Sequence, residues 1–126
     1  MSAPIVHIEI PASDTKAASE FYSSLFDWKI EHDPTFDYYQ FRPGSGPGGG
    51  FVNTGPASEM NIAYEPGDVL IYVDSDDIDK SLAKAESLGA KTAMPKTEIP
   101  GIGWFAVFTD PTGNKIGLFT STTPMQ

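Results

Sequence analysis

The chain has 126 residues with 40% hydrophobic side chains, the size and apolar content of one domain with a buried core. The absence of cysteine excludes a disulfide framework, a thiol nucleophile and thiolate zinc sites. Seventeen acids against 8 bases give a net charge of −9 with no Lys/Arg cluster, which excludes nucleic acid and anionic membrane surfaces as partners.

Ile5 to Ile10 alternates with period two, so it reads as a strand with Val6, Ile8 and Ile10 on one face and Ile5, His7 and Glu9 on the other. Ser13 or Asp14 then caps a helix in which Ala17, Ala18, Phe21, Tyr22, Leu25 and Phe26 recur at helical spacing. Its aromatic face is expected to bury on a sheet. Trp28 to Glu31 predicts a short strand, Asp33-Pro34 a turn, and Tyr38 to Arg42 another strand. Pro43 to Gly50 holds five glycines, two prolines and a serine, and reads as a loop. Phe51 to Asn53 closes the first set as a strand. Thr54 to Gly67, without a clear period, reads as a linker.

The order then begins again. Val69 to Val73 is a strand, and Asp76 or Asp77 caps a helix with Ile78, Leu82, Ala85 and Leu88 on one face, ending at Gly89. Lys91 to Met94 and Gly103 to Thr109 are strands. Asp110 to Asn114 is a turn, and Lys115 to Thr120 is the last strand. The two helices align with an offset of 63 residues, which sets Asp14 on Asp77. The repeat rests on element order more than on residue identity. No apolar run approaches the roughly 20 residues that span a bilayer. The start, Met1-Ser2-Ala3-Pro4, lacks the marks of a signal peptide. A soluble, cytoplasmic protein is expected.

Three segments, "IVHIEIPASDTKAASEFYSSLFDWKI", "VDSDDIDKSLAKAESLGAKT" and "PKTEIPGIGWFAVFTDPTGNKIGLF", together with the two-module order, carry a resemblance over about Ile5 to Thr120. The chain resembles the vicinal-oxygen-chelate superfamily of glyoxalases, bleomycin-resistance proteins and dioxygenases, in a glyoxalase-like bacterial branch. The resemblance implies an α+β fold: one domain of two tandem βαβββ modules, about 5–53 and 68–120 joined by 54–67, forming a curled mixed sheet around a cleft. It also implies a small-molecule ligand and a homodimer.

Metal-dependent members of that superfamily draw four ligands from four strands, and the resemblance places each position. The first falls on His7, seven residues before Asp14. The ligand opening the second module falls near Leu70, which cannot ligate. A register slide of two would bring Asp68 there instead. The last-strand ligand falls on Gly117 in "DPTGNKIGL" and has no side chain. The remaining position lies within Gly48 to Asn53, where Asn53 is a poor substitute. One clear ligand does not make a site that needs about three. No metal cofactor is therefore expected, with a divalent metal kept as the alternative.

Other patterns favour plain structural readings. The acids Asp74, Asp76, Asp77 and Asp79 fail the spacing of a calcium-binding EF-hand and suit helix capping. The glycine run lacks the Lys-Ser or Lys-Thr pair of a P-loop. His32 reads as a surface histidine, and no serine sits in a nucleophile elbow.

Two functional expectations follow. The first is a metal-independent binder of a small organic molecule in the cleft between modules. Its polar groups would be His7 and Glu9, and its apolar wall Tyr39 (or its neighbour Tyr38), Phe51, Tyr72 and Trp104, or Phe105 in place of the last. The second is an enzyme of the glyoxalase, dioxygenase or isomerase kind, with His7 as ligand or general base and Glu9 as its partner.

Overall fold

The computed structural model describes residues 3–35, 38–54, 65 and 67–121. Eight strands and two helices follow one another as β1 (Ile5–Ala12), α1 (Thr15–Phe26), β2 (Lys29–Asp33), β3 (Tyr38–Arg42), β4 (Gly48–Asn53), β5 (Leu70–Asp74), α2 (Ile78–Ser87), β6 (Lys91–Ile99), β7 (Gly103–Thr109) and β8 (Lys115–Ser121). This is the βαβββ order written twice. The chain divides into two compact units, Val6–Leu70 and Met1–Ile5 with Ile71–Gln126. In the latter, the Pro4 carbonyl accepts from the Asp74 amide at 2.9 Å. Most of the segment read as a linker, Thr54 to Gly67, lies outside the described residues.

Within the first unit the strands lie in the order β2-β3-β4-β1. β1 and β4 run parallel, and the other pairs are antiparallel. The second unit repeats the plan as β5-β8-β7-β6, with β5 parallel to β8. The helices begin where the sequence predicts. Asp14 accepts from the Ala17 amide and Asp77 from the Lys80 amide, each at 3.0 Å, satisfying donors that a helix start leaves unpaired. Gly89, at φ +106°, ends α2 in the left-handed conformation that glycine adopts without strain.

The structure corrects four expectations. Gly48–Gly50 is not loop but the first half of β4, paired with His7, Ile8 and Glu9 of β1. Close approach requires glycine there. A Cβ at Gly48 would lie 2.7 Å from the Phe41 carbonyl oxygen, and one at Gly49 2.7 Å from the Phe41 ring. The strand after α2 continues through Pro95 to Ile99, with register irregularities on either side of Met94.

On α1 the buried stripe is Thr15, Ser19 and the half-buried Tyr22, whereas Phe21, Leu25 and Phe26 are exposed. Tyr22 makes the contact with the sheet, stacking on Trp28 and Phe51 at ring separations of 5.6 Å. Leu88, expected on the buried face of α2, stands at its C-cap and is exposed. The α2 core consists of Ile78, Leu82, Ala106 and Leu118.

Candidate ligand site on the first unit

Strand pairing sorts the first unit's side chains onto two faces, because laterally paired residues point the same way. Glu31, Gln40, Gly50 and Glu9 form one row across β2, β3, β4 and β1. Alternation along the strands adds Tyr38, Arg42, Gly48 and His7 to the same face. The opposite face carries Tyr39, Phe41 and Phe51, and it is the one covered by α1 through Tyr22. One face is therefore apolar and helix-covered, and the other is polar.

Tyr38 organises the polar face. Its hydroxyl donates to Glu9 Oε2 at 2.6 Å. His7 Nε2 lies 2.9 Å from the same hydroxyl and 3.4 Å from Glu9 Oε2. An ionised carboxylate only accepts, so the phenol gives its proton to Glu9 and its oxygen accepts from N–H of His7 Nε2. Glu9 is 7% exposed, and this bond supplies the donor that burial of a carboxylate requires. Tyr38 stands on β3 and its partners on β1, about 10 Å away with β4 between them. The phenol spans that gap across Gly50, where a Cβ would overlap the hydroxyl.

At the hairpin end of the unit lies an open recess of about 410 Å³. Its walls include His7, Gln40, Arg42 and the glycines Gly48 and Gly49. His7 belongs both to this recess and to the hydrogen-bonded group around Tyr38. Arg42 is held at its Nε by Glu31 Oε1 at 2.7 Å. His32, on β2, stands beside Tyr39 at 4.4 Å between ring centres.

Within the first unit the structure brings together His7 and Glu9 and adds Tyr38 to them. Tyr39 projects to the helix-covered face, and its neighbour Tyr38 meets the two polar groups instead. Phe51 is 1% exposed and packs between Tyr22 and Phe41, which makes it core. Tyr72 and Trp104 belong to the second unit. There Tyr72 is buried with its ring against Gly117, and Trp104 packs on the α2 core beneath Lys96. Phe105, on the other face of β7 from Trp104, is buried.

The described residues offer no set of side chains that fits a metal ion. Among the described residues no three His, Asp or Glu side chains converge. His7 and Glu9 both engage the Tyr38 hydroxyl. Side chains at positions 50 and 117 would collide with Tyr38 and Tyr72. Leu70 is buried, and Asp68 lies before β5, exposed, accepting from the Glu65 amide at 3.3 Å. Asn53 is exposed at the end of β4. What the polar face can do is receive a ligand's polar atoms and hold a proton at His7 or Tyr38.

The fold is a βαβββ order written twice, with one polar sheet face in the first unit, and comparison with known proteins gives it a family. The profile of the Glyoxalase/Bleomycin resistance protein/Dioxygenase superfamily matches residues 4–118, and the chain belongs to that superfamily. It is 29% identical over 124 residues to "Putative glyoxylase CFP32" of Mycobacterium bovis, covering 89% of this chain and 43% of that one. The chain thus spans less than half the length of this relative. A "Glyoxylase-like domain-containing protein" of Didymella fabae is 28% identical over 116 residues, covering 90% of both chains. Among solved structures, methylmalonyl-CoA epimerase from Mycobacterium tuberculosis shares the fold, with a TM-score of 0.64, 14% identity, and coverage of 95% of this chain and 89% of that one. Among the described residues no helix is long and apolar enough to cross a membrane.

Proposed function

We propose that the chain is a metal-independent, small-molecule-binding member of the superfamily, with its ligand taken at the polar face of the first unit. The observation that carries this reading is the Tyr38 hydroxyl, which engages both His7, the one retained ligand-type residue, and its neighbour Glu9, and so commits both to a phenol. The adjoining recess, with an imidazole, an amide and a guanidinium on its walls, has the mixed character of a small-molecule site.

The test is elemental analysis of the purified protein beside a thermal-shift screen with Zn²⁺, Mn²⁺ and Ni²⁺ and with a library of small organic compounds. Expected are no stoichiometric metal, no stabilisation by micromolar metal, and stabilisation by organic compounds that His7→Ala abolishes. Stoichiometric metal, or stabilisation by metal that depends on His7, would overturn the reading.

The hydrogen-bonded series Glu9–Tyr38–His7 favours a second reading, a metal-free isomerase in which His7 and Tyr38 exchange a proton with substrate. Neutral imidazole suits proton abstraction near pH 7. If His7→Ala left every measured turnover unchanged, that reading would lose its anchor.

A further inference from the structure

We infer that the recess beside His7 selects carboxylate ligands, with Arg42 receiving the carboxylate and the ligand's body lying along the bare backbone of Gly48 and Gly49 toward His7. The inference rests on the small-molecule reading above and names its ligand class. Arg42 is the only arginine in the chain. A protein of net charge −9 places that one guanidinium on a recess whose described walls include no acidic side chain and do include a histidine.

Arg42 is also preset for the task. Glu31 engages its Nε, and its two terminal amino groups have no partner among the described residues. Those two groups form a planar fork that matches the two oxygens of a carboxylate, a geometry lysine does not offer. Anchoring the guanidinium on Glu31 reduces the side-chain freedom lost when a ligand binds. The glycines supply the remainder of the shape. β4 puts no side chain at Gly48, the partner of His7 on β1, so a flat or extended body reaching from Arg42 meets main chain there.

The experiment uses the full chain labelled with ¹⁵N and follows the amide signals of Gly48, Gly49 and Gly50. The probes are benzoate, phenylacetate and hexanoate, each beside its own carboxamide, which keeps shape and removes charge. Loss of a charge-assisted pair corresponds to about tenfold in affinity or more. The acids are therefore expected to move these signals saturably and to bind at least about tenfold more tightly than the amides. Arg42→Gln should erase that preference, and Arg42→Lys should keep part of it. The Arg42 side chain is 63% exposed, so neither variant disturbs the core.

Equal binding of acids and amides, or acid binding that survives Arg42→Gln, overturns the carboxylate assignment and leaves the small-molecule reading standing. Absence of any shift with every probe at millimolar concentration also overturns the assignment. The small-molecule reading is then decided separately, by the metal and library screens.

Discussion

The hydroxyl of Tyr38 stands over Gly50, at the place a Cβ of residue 50 would occupy, and only this bare stretch of β4 lets a β3 side chain reach His7 and Glu9 on β1. The second unit holds a related pair, Tyr72 against Gly117, on laterally paired residues of β5 and β8. In that pairing Tyr72 takes the place that Glu9 holds opposite Gly50. Both glycines fall within tracts that the family resemblance assigns to metal ligands. The same lack of a side chain that removes a ligand makes room for a tyrosine ring.

Gly50→Ala should therefore act through Tyr38. Forcing a methyl group into a filled position costs roughly 1–3 kcal/mol. In the double variant Gly50→Ala/Tyr38→Ala the collision is gone, so the combined loss should fall short of the sum of the two single losses. Urea unfolding of the four proteins, read as a double-mutant cycle, checks this. Additive losses would mean that residue 50 and Tyr38 do not meet.

Tyr38→Phe keeps the ring over Gly50 and deletes one oxygen. Glu9, 7% exposed, then loses its phenol donor while staying buried. Hydrogen bonds to charged groups contribute about 1.5–3 kcal/mol, and a destabilisation of that order is expected. Glu9→Gln, which retains an acceptor, should cost less. Calorimetric unfolding of both variants gives the comparison, and a Tyr38→Phe protein as stable as the parent would contradict the hydrogen-bond assignment.

Much of the fold was legible in the chain, because period-two and helical spacings report local backbone states directly. The Asp14 and Asp77 caps and the Asp110–Asn114 turn were legible for the same reason, as each is a short-range hydrogen-bond pattern. Gly48–Gly50 was not. Three consecutive glycines carry no strand signal, and their place in β4 is decided by Phe41 and Ile8 crowding in from the neighbouring strands. Which of Tyr38 and Tyr39 shares the face of His7 was not legible for a related reason. In "DYYQF" both phases of alternation are plausible, and only the pairing of Gln40 with Gly50 resolves them. That His7 and Glu9 share a face was legible because period two alone puts them there. The lack of a ligating side chain at Leu70 and Gly117 was visible, but the tyrosines standing over Gly50 and Gly117 were not, since side-chain reach across a strand leaves no trace in residue order.

The phase of α1 makes a further prediction. Phe51 is 1% exposed between Tyr22 and Phe41, whereas Leu25 is 59% exposed. Phe51→Ala should destabilise by about 4 kcal/mol, the usual consequence of emptying a buried aromatic site. Leu25→Gln should change stability by no more than about 0.5 kcal/mol, as surface substitutions do. Guanidinium unfolding measures both. The helical spacing alone ranks Leu25 with the core, so a large loss at Leu25 would restore the face expected from sequence.

Acid stability should depend on Asp110. Its carboxyl is held down from 3.8 to about 2, chiefly by the Asn114 amide and then by the Thr112 hydroxyl, with the Thr112 amide adding to them. The Asn114 amide, the Thr112 amide and the Thr112 hydroxyl all reach Asp110 Oδ1 at 2.9 Å. The folded turn thus favours the ionised carboxylate more than the unfolded chain does. Its contribution is complete above pH 3.8 and declines as the pH falls through about 2, where the folded carboxylate takes up its proton. Asp110→Asn keeps an acceptor but removes the titrating group. The parent should therefore lose its advantage over Asp110→Asn between pH 4 and pH 2 and hold it constant above that window. Chemical denaturation of both proteins across this range reads the difference directly. A difference that stays flat down to pH 2 would show that the turn does not bind the ionised form preferentially.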